Sequence, residues 1–196
     1  MPGDVRRMDY IKEYLSAYEA KLHLSNRLGL LDNAKLFELF AVRVCGIWFG
    51  QKFRNLNKET VNYPYVDLIS EDEMIYVQVS TALDTSKKVR STLKNLRACT
   101  DPPFCDIQRV VFFMLGDQSE VKDELGESTG RISFSAADDI VTVKAIAQRA
   151  MEDMDFQHAL YDVLYDEFTS IETISKSLSD AVAVSRDVGM RSTEVP

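Results

Sequence analysis

Cysteine is scarce in this chain: 3 in 196 residues, at Cys45, Cys99 and Cys105, an odd number at no metal-binding spacing. That excludes a disulfide framework and a cysteine zinc site, and free thiols in a reducing compartment are expected. Histidine is scarcer still. His23 and His158 stand far apart, so a histidine metal site has no support. The Ser80–Thr81 pair likewise has no nearby histidine to activate a hydroxyl nucleophile. No apolar run approaches the roughly 18 residues that a membrane span needs. Nor does an apolar stretch follow Arg6 and Arg7, as a secretory leader would require. A cytoplasmic location with no membrane partner is the expectation. Internal repeats and low-complexity tracts are missing. The glycines of "GDQSEVKDELGESTG" lack phosphate-loop spacing, which leaves that stretch an acidic surface loop.

What is present fits a globular domain of ordinary size, with 45% apolar and 28% charged residues. The net charge is −8, but residues 1–100 carry +3 and residues 101–196 carry −11. An acidic whole argues against indiscriminate nucleic-acid binding. A basic groove in the first half stays compatible with it, because salt screens fields beyond about 10 Å.

Apolar side chains at Ile11, Leu15, Tyr18 and Leu22 recur at helical spacing over 8–29. Gly29 ends that run, and Asp32 or Asn33 can cap the next helix, "NAKLFELFAVRVCGIWFG". This second helix is apolar on nearly every side and is therefore expected to be buried, Trp48 included. Four short strands follow: "KFRNLN", "YVDLIS", "MIYVQVS" and "RVVFFMLG", the last a continuous apolar run, as in a strand covered on both faces. Val89, Leu93 and Leu96 mark a helix between the third and fourth, and "RISFS" is a further strand candidate. From 138 onwards the pattern is helical again, through Ile140, Val143, Ile146, Phe156, Leu160 and Phe168. The expected class is α/β: a small mixed central sheet flanked by helices, with a helical C-terminal segment. The expected organisation is a core over 1–137, a helical segment over 138–184 that packs on the core or on a partner, as in a homodimer, and a flexible tail over 185–196.

The stretch "YPYVDLISEDEMIYVQVST" reads as a hairpin turned at "SEDE". Pairing Ile69 with Met74 puts Val66, Leu68, Ile75, Val77 and Val79 on one apolar face. Tyr65, Asp67, Tyr76, Gln78 and Ser80 share the other. Asp67 then lies diagonal to Gln78, roughly 7 Å away in backbone terms. An acid and an amide converging on one spot suit a hard divalent cation such as Mg²⁺. Glu38 adds a third oxygen ligand from the buried second helix. Desolvating a lone carboxylate there costs several kcal/mol unless a partner or metal satisfies it. Each residue also has a plainer reading: Glu38 at a helix edge, Asp67 closing a turn, Gln78 bonded to backbone. The helix after the hairpin carries Lys87, Lys88, Arg90, Lys94 and Arg97, which suit backbone phosphates or an ordinary solvated face. Arg54 and Asn55 suit a phosphate or a loop cap.

A helical acid, a strand-end Asp with Pro64 shortly before it, a second strand bearing an amide, and a following helix resemble the PD-(D/E)XK nuclease superfamily, whose fold is restriction-endonuclease-like. More narrowly, "FELFAVRVCGIWFGQKFRNLN", "NYPYVDLI" and "IYVQVST" followed by "SKK" are similar to SMEK-type domains of bacterial phage-defence proteins. The resemblance implies a Mg²⁺- or Mn²⁺-dependent endonuclease acting on DNA, with RNA left open. It implies an effector role in a defence system alongside a partner protein. Glu38, Asp67 and Gln78 take the positions of catalytic metal ligands. Ser80 stands where the superfamily has its lysine, so Lys87 or Lys88 would have to reach back into the site. Gln78 in place of an acid and Ser80 in place of lysine keep a second outcome open, an inactive nuclease-like binding or assembly module.

Overall fold

The computed structural model describes residues 2–28, 32–58, 63–100, 102, 104–116, 121 and 132–167. Most of the acidic loop after Gly116, and the expected tail, lie outside them.

Two helices open the chain. α1 (Pro2–Arg27) places Ile11, Leu15, Tyr18 and Leu22 on one buried stripe, as the spacing predicts. α2 (Asp32–Phe49) buries Phe37, Phe40, Ala41, Val44 and Cys45. It is not buried all round. Leu39 is 40% exposed, and Leu36, Val42 and Ile47 are half-buried. Only one side of this helix faces the rest of the core, so its outer apolar residues stay partly open.

Five strands form one mixed sheet in the order β1-β2-β3-β4-β5. β1 (Phe53–Asn55), β2 (Leu68–Ser70) and β3 (Tyr76–Ser80) are antiparallel neighbours. β4 (Val110–Met114) and β5 (Ile140–Thr142) add in parallel. α3 (Thr85–Ala98) makes the crossover from β3 to β4. A short helix, α4 (Ala136–Asp139), leads into β5, and α5 (Val143–Glu152) and a helix over 154–167, α6, follow. The expected helix from 138 is thus interrupted by a strand. Ile140, Val141 and Thr142 are all buried beside β4, where β-branched residues fit a pleated surface covered on both faces. The "RISFS" stretch contributes only a bridge between Ser133 and Arg109.

Both faces of the sheet are covered. One apolar cluster joins α1, α2, α5 and α6 to Leu68, Ile75, Val77, Val79, Val111 and Phe113. The other joins Val89, Leu93 and Leu96 of α3 to Ile69, Tyr76, Val110, Phe112 and Met114. Alternation along β3 and β4 sends successive side chains to opposite clusters, as the pleat requires.

The hairpin register departs from the expected one. Leu68 pairs with Val77 and Ile69 with Tyr76, two residues beyond the predicted partners. The loop comprises residues 71–74, closed by Ser70 N–H to Ile75 O at 2.9 Å. Asp72 shapes it by accepting from Ser70 Oγ (2.5 Å) and Met74 N–H (3.1 Å), and Glu73 takes a left-handed φ of 58°. Met74 is thereby expelled from the ladder and is 62% exposed. A second irregularity lies at the other end. Asp67 N–H reaches Val77 O at 2.8 Å although Leu68 is the register partner of Val77, so two residues of one strand face one of the other. This is a β-bulge, and it reverses the alternation: Val66 joins the α3-side cluster instead of sharing the face of Leu68.

Candidate functional site

The bulge aims the Asp67 side chain at the end of β3. Asp67 Oδ2 accepts Val79 N–H at 2.7 Å and also the amide of Gln78, and Oδ1 accepts Asn57 Nδ2–H at 2.9 Å. The Gln78 amide donates a second time, to Val79 O at 2.9 Å. Asp67 and Gln78 do meet, but Gln78 turns its NH₂ to the carboxylate and not the amide oxygen that a shared cation would need.

Glu38 joins through two asparagines. Asn55 Nδ2 donates to Glu38 Oε2 at 3.0 Å, and Asn55 Oδ1 accepts Asn57 N–H at 2.8 Å. Asn57 then reaches Asp67. Glu38 is half-buried on α2, not desolvated in a fully buried helix as expected, and its partner is an amide. A continuous polar chain thus runs from α2 through β1 and the turn Leu56–Lys58 to the start of β2 and the end of β3.

Electrostatics sets Asp67 apart. Burial pushes its carboxyl up to about 6, against the hydrogen bonds from Val79 and Asn57, which pull the other way. The Glu38 charge raises it further and the Lys88 charge lowers it. Lys88 is half-buried on the first turns of α3 with its charge acting on Asp67, whereas Lys87 is exposed. Of the two lysines expected to reach back, Lys88 is the one whose charge falls on Asp67. Ser80 is half-buried and accepts Ala82 N–H at 3.2 Å.

The expected phosphate contacts divide. Lys87, Arg90 and Lys94 lie along the outward face of α3, together with Ser86, Ser91 and the helix-capping Asp84, beside an open groove of about 480 Å³. Arg97 is turned inward and donates to Ile132 O at 3.5 Å. Arg54 sits on β1 with its guanidinium on Glu73 at 3.3 Å. The outward cationic row is therefore shorter than the sequence suggests.

The donors around Asp67 suit a hard cation in kind. The Asp67 carboxylate and the Val79 carbonyl both hold the Gln78 NH₂, so their oxygens already converge on one electropositive group. Glu38 supplies a second carboxylate close enough to act on Asp67. Among the described residues no three of His, Cys, Asp and Glu come together, which leaves amide and carbonyl oxygens to complete such a site.

The span that builds this site also decides the family, because a family model for the SMEK domain matches residues 10–151. The chain belongs to the SMEK domain family. The match covers the sheet from β1 to β5 and runs from α1 into α5. No curated protein and no solved structure matches the chain. In this SMEK domain the sequence reading missed Asn57 as a member of the site and gave Asn55 only as a phosphate contact or a loop cap, where it holds Glu38. Their signal was the unusual "RNLN" after a strand, two amides at i and i+2 where a turn would be served by one. Asn57 also fixes the loop before Asp67, its Oδ1 accepting Tyr63 N–H at 2.9 Å, and Tyr65 in that loop holds a left-handed φ of 70°. Positive φ at a tyrosine costs energy, and such strain gathers at functional sites. No helix among the described residues is long and apolar enough to cross a membrane.

Proposed function

We infer that this SMEK domain is a metal-dependent nuclease of the restriction-endonuclease-like class, hydrolysing DNA phosphodiesters as the effector of a bacterial phage-defence system. One observation carries the reading. A carboxylate with a raised pKa, a side-chain amide and a second acid are gathered at the ends of β2 and β3, with one lysine charge acting on Asp67. Asp67, Glu38, the Val79 carbonyl and, once its amide turns to present Oε1, Gln78 would hold Mg²⁺ or Mn²⁺. When bound, the metal would lower the pKa of a water and polarise the phosphoryl group. The chain's own residues do the rest. Asn55 and Asn57 orient the two carboxylates. Lys88 lends positive charge where negative charge develops on phosphate. Lys87, Arg90 and Lys94 hold the backbone of the strand being cut. Asp67→Ala should abolish cleavage of plasmid DNA incubated with Mg²⁺ or Mn²⁺, and unchanged cleavage by that variant would overturn the assignment.

A second reading, an inactive nuclease-like assembly module, draws on the saturation of Asp67. Both its oxygens accept hydrogen bonds from the chain itself, and Ser80 replaces the lysine. Calorimetric titration with Mn²⁺ separates the two. Metal binding that disappears in Asp67→Ala favours the enzyme, and no binding in either chain favours the module.

A further inference from the structure

Away from Asp67, an open cleft of about 720 Å³ lies between the end of α2, the start of β4 and the α4–α5 region. Nothing in the proposed hydrolysis uses it. Its walls carry two guanidinium groups, each held in place. Arg109 Nε donates to Asp139 Oδ1 at 2.8 Å, and Asp139, only 4% exposed, also accepts Ser135 N–H at 2.8 Å. The Arg109 guanidinium carbon lies 5.8 Å from the centre of the Phe49 ring. Arg149 lies between Trp48 at 4.6 Å and Phe156 at 4.8 Å, donates from Nη1 to Trp48 O at 2.9 Å, and has its Nη2 3.8 Å from Asp153. A guanidinium has five N–H donors, and among the described residues the Arg109 Nη groups make no hydrogen bond. Two cations fixed this way present donors without the entropy cost of ordering a free side chain.

Acid is present too. Asp139 is spent on Arg109, but Asp138 is exposed and accepts only Ser135 Oγ at 2.9 Å among side chains. A bare anion would meet this carboxylate as a repulsion. A ligand bearing an anionic group at one end and N–H or O–H donors at the other would use both signs. Trp48 and Phe49, both half-buried and each with a guanidinium over its ring, add apolar wall to the cleft, and the volume falls in the range of small-molecule sites. We propose that this cleft binds a nucleoside monophosphate, its phosphate on Arg109 and Arg149, its base against the aromatic wall, and a donor edge on Asp138. The site does not depend on the nuclease assignment.

Trp48 is the single tryptophan of the chain, so its fluorescence reports on the cleft directly. The full chain is titrated with AMP, GMP, CMP and UMP, and separately with inorganic phosphate, with calorimetry as the second readout. At least one nucleotide should give a saturable change, tighter than inorganic phosphate. Arg109→Gln keeps a donor for Asp139 while removing the charge, and should weaken that nucleotide by about tenfold or more. Asp138→Asn leaves the buried pair untouched and should shift the preference among bases, which keeps the test open if the first variant fails to fold. The proposal falls if no nucleotide gives a saturable response, if inorganic phosphate binds as tightly, or if Asp138→Asn leaves every affinity unchanged.

Discussion

Asp67 shows what one buried carboxylate does to the chain that holds it. Its carboxyl stands at about 6 in the folded protein, against 3.8 for the group in water. Between those values the folded chain keeps a proton that the unfolded chain has released. Stability therefore falls as pH rises from about 4 to about 6 and levels off above, by roughly 2 kcal/mol after discounting for the partial exposure of the side chain. Asp67→Asn cannot titrate, so denaturant melts of the two chains should differ in slope over that window and run parallel above it. Parallel curves throughout would show that Asp67 ionises normally. The two neighbouring lysines make a sharper contrast. Lys88 acts on Asp67 and Lys87 faces the open groove, so Lys88→Ala should raise the Asp67 pKa further and Lys87→Ala should leave it in place. Carboxyl carbon NMR through a pH titration measures both. If the nuclease reading holds, Lys88→Ala also lowers cleavage about a hundredfold, the usual loss for one donor aimed at developing charge.

At the scale of elements, the loop between β3 and α3 is gripped by a glycine. A Cβ built on Gly116, just past β4, would overlap the carbonyls of Ala82 and Leu83 and the hydroxyl of Thr85. These atoms belong to the backbone and first residue that launch α3, so they have little room to give. Gly116→Ala should destabilise the fold by about 1–3 kcal/mol through overpacking, and should displace the helix that carries Lys88. Thermal melts test the first effect, and the Asp67 titration tests the second. From sequence this glycine read as the edge of an acidic loop, because a close approach between two segments far apart in the chain leaves no local mark. The hairpin teaches the same lesson. Its two strands and its apolar face through Leu68, Val77 and Val79 were legible from alternation alone. Its register was not, since that is settled by Asp72 and by the left-handed Glu73, and alternation cannot tell a slip of two residues from none. The bulge at Asp67 was hidden too, although it is the device that aims the carboxylate. The helical spacing of α1 and α3 carried through, because an amphipathic stripe is a local property.

The molecule as a whole is tied together by the larger apolar cluster, which runs from Ile11 and Leu15 of α1, through Phe37 and Phe40 of α2, to Phe113 in the sheet and on to Leu160 and Leu164 of α6. Aromatic contacts follow the same path: Phe37 lies 5.2 Å from Phe113, and Trp48 meets Phe156 edge-on at 5.5 Å. Polar contacts reinforce it, with Arg43 of α2 on Asp166 at 2.8 Å and Gln157 of α6 donating to Ala150 O at 3.0 Å. A chain cut after residue 137 would keep the Asp67 network but lose Val141, Ile146, Phe156, Leu160 and Leu164 from this cluster. Burying one such side chain contributes about 1.5–3 kcal/mol, and a domain of this size holds only about 5–15 kcal/mol in all. The loss is of the same size as the total. The edge of β4 that β5 covers would also be left with unpaired backbone groups, a template for association between chains. The 1–137 fragment should therefore fail to melt cooperatively and should sediment as aggregate, while the chain ending at 167 should melt as one unit. A cooperative melt from the shorter fragment would show that the site and its sheet are self-sufficient, and that β5, α5 and α6 are an addition to a core already complete.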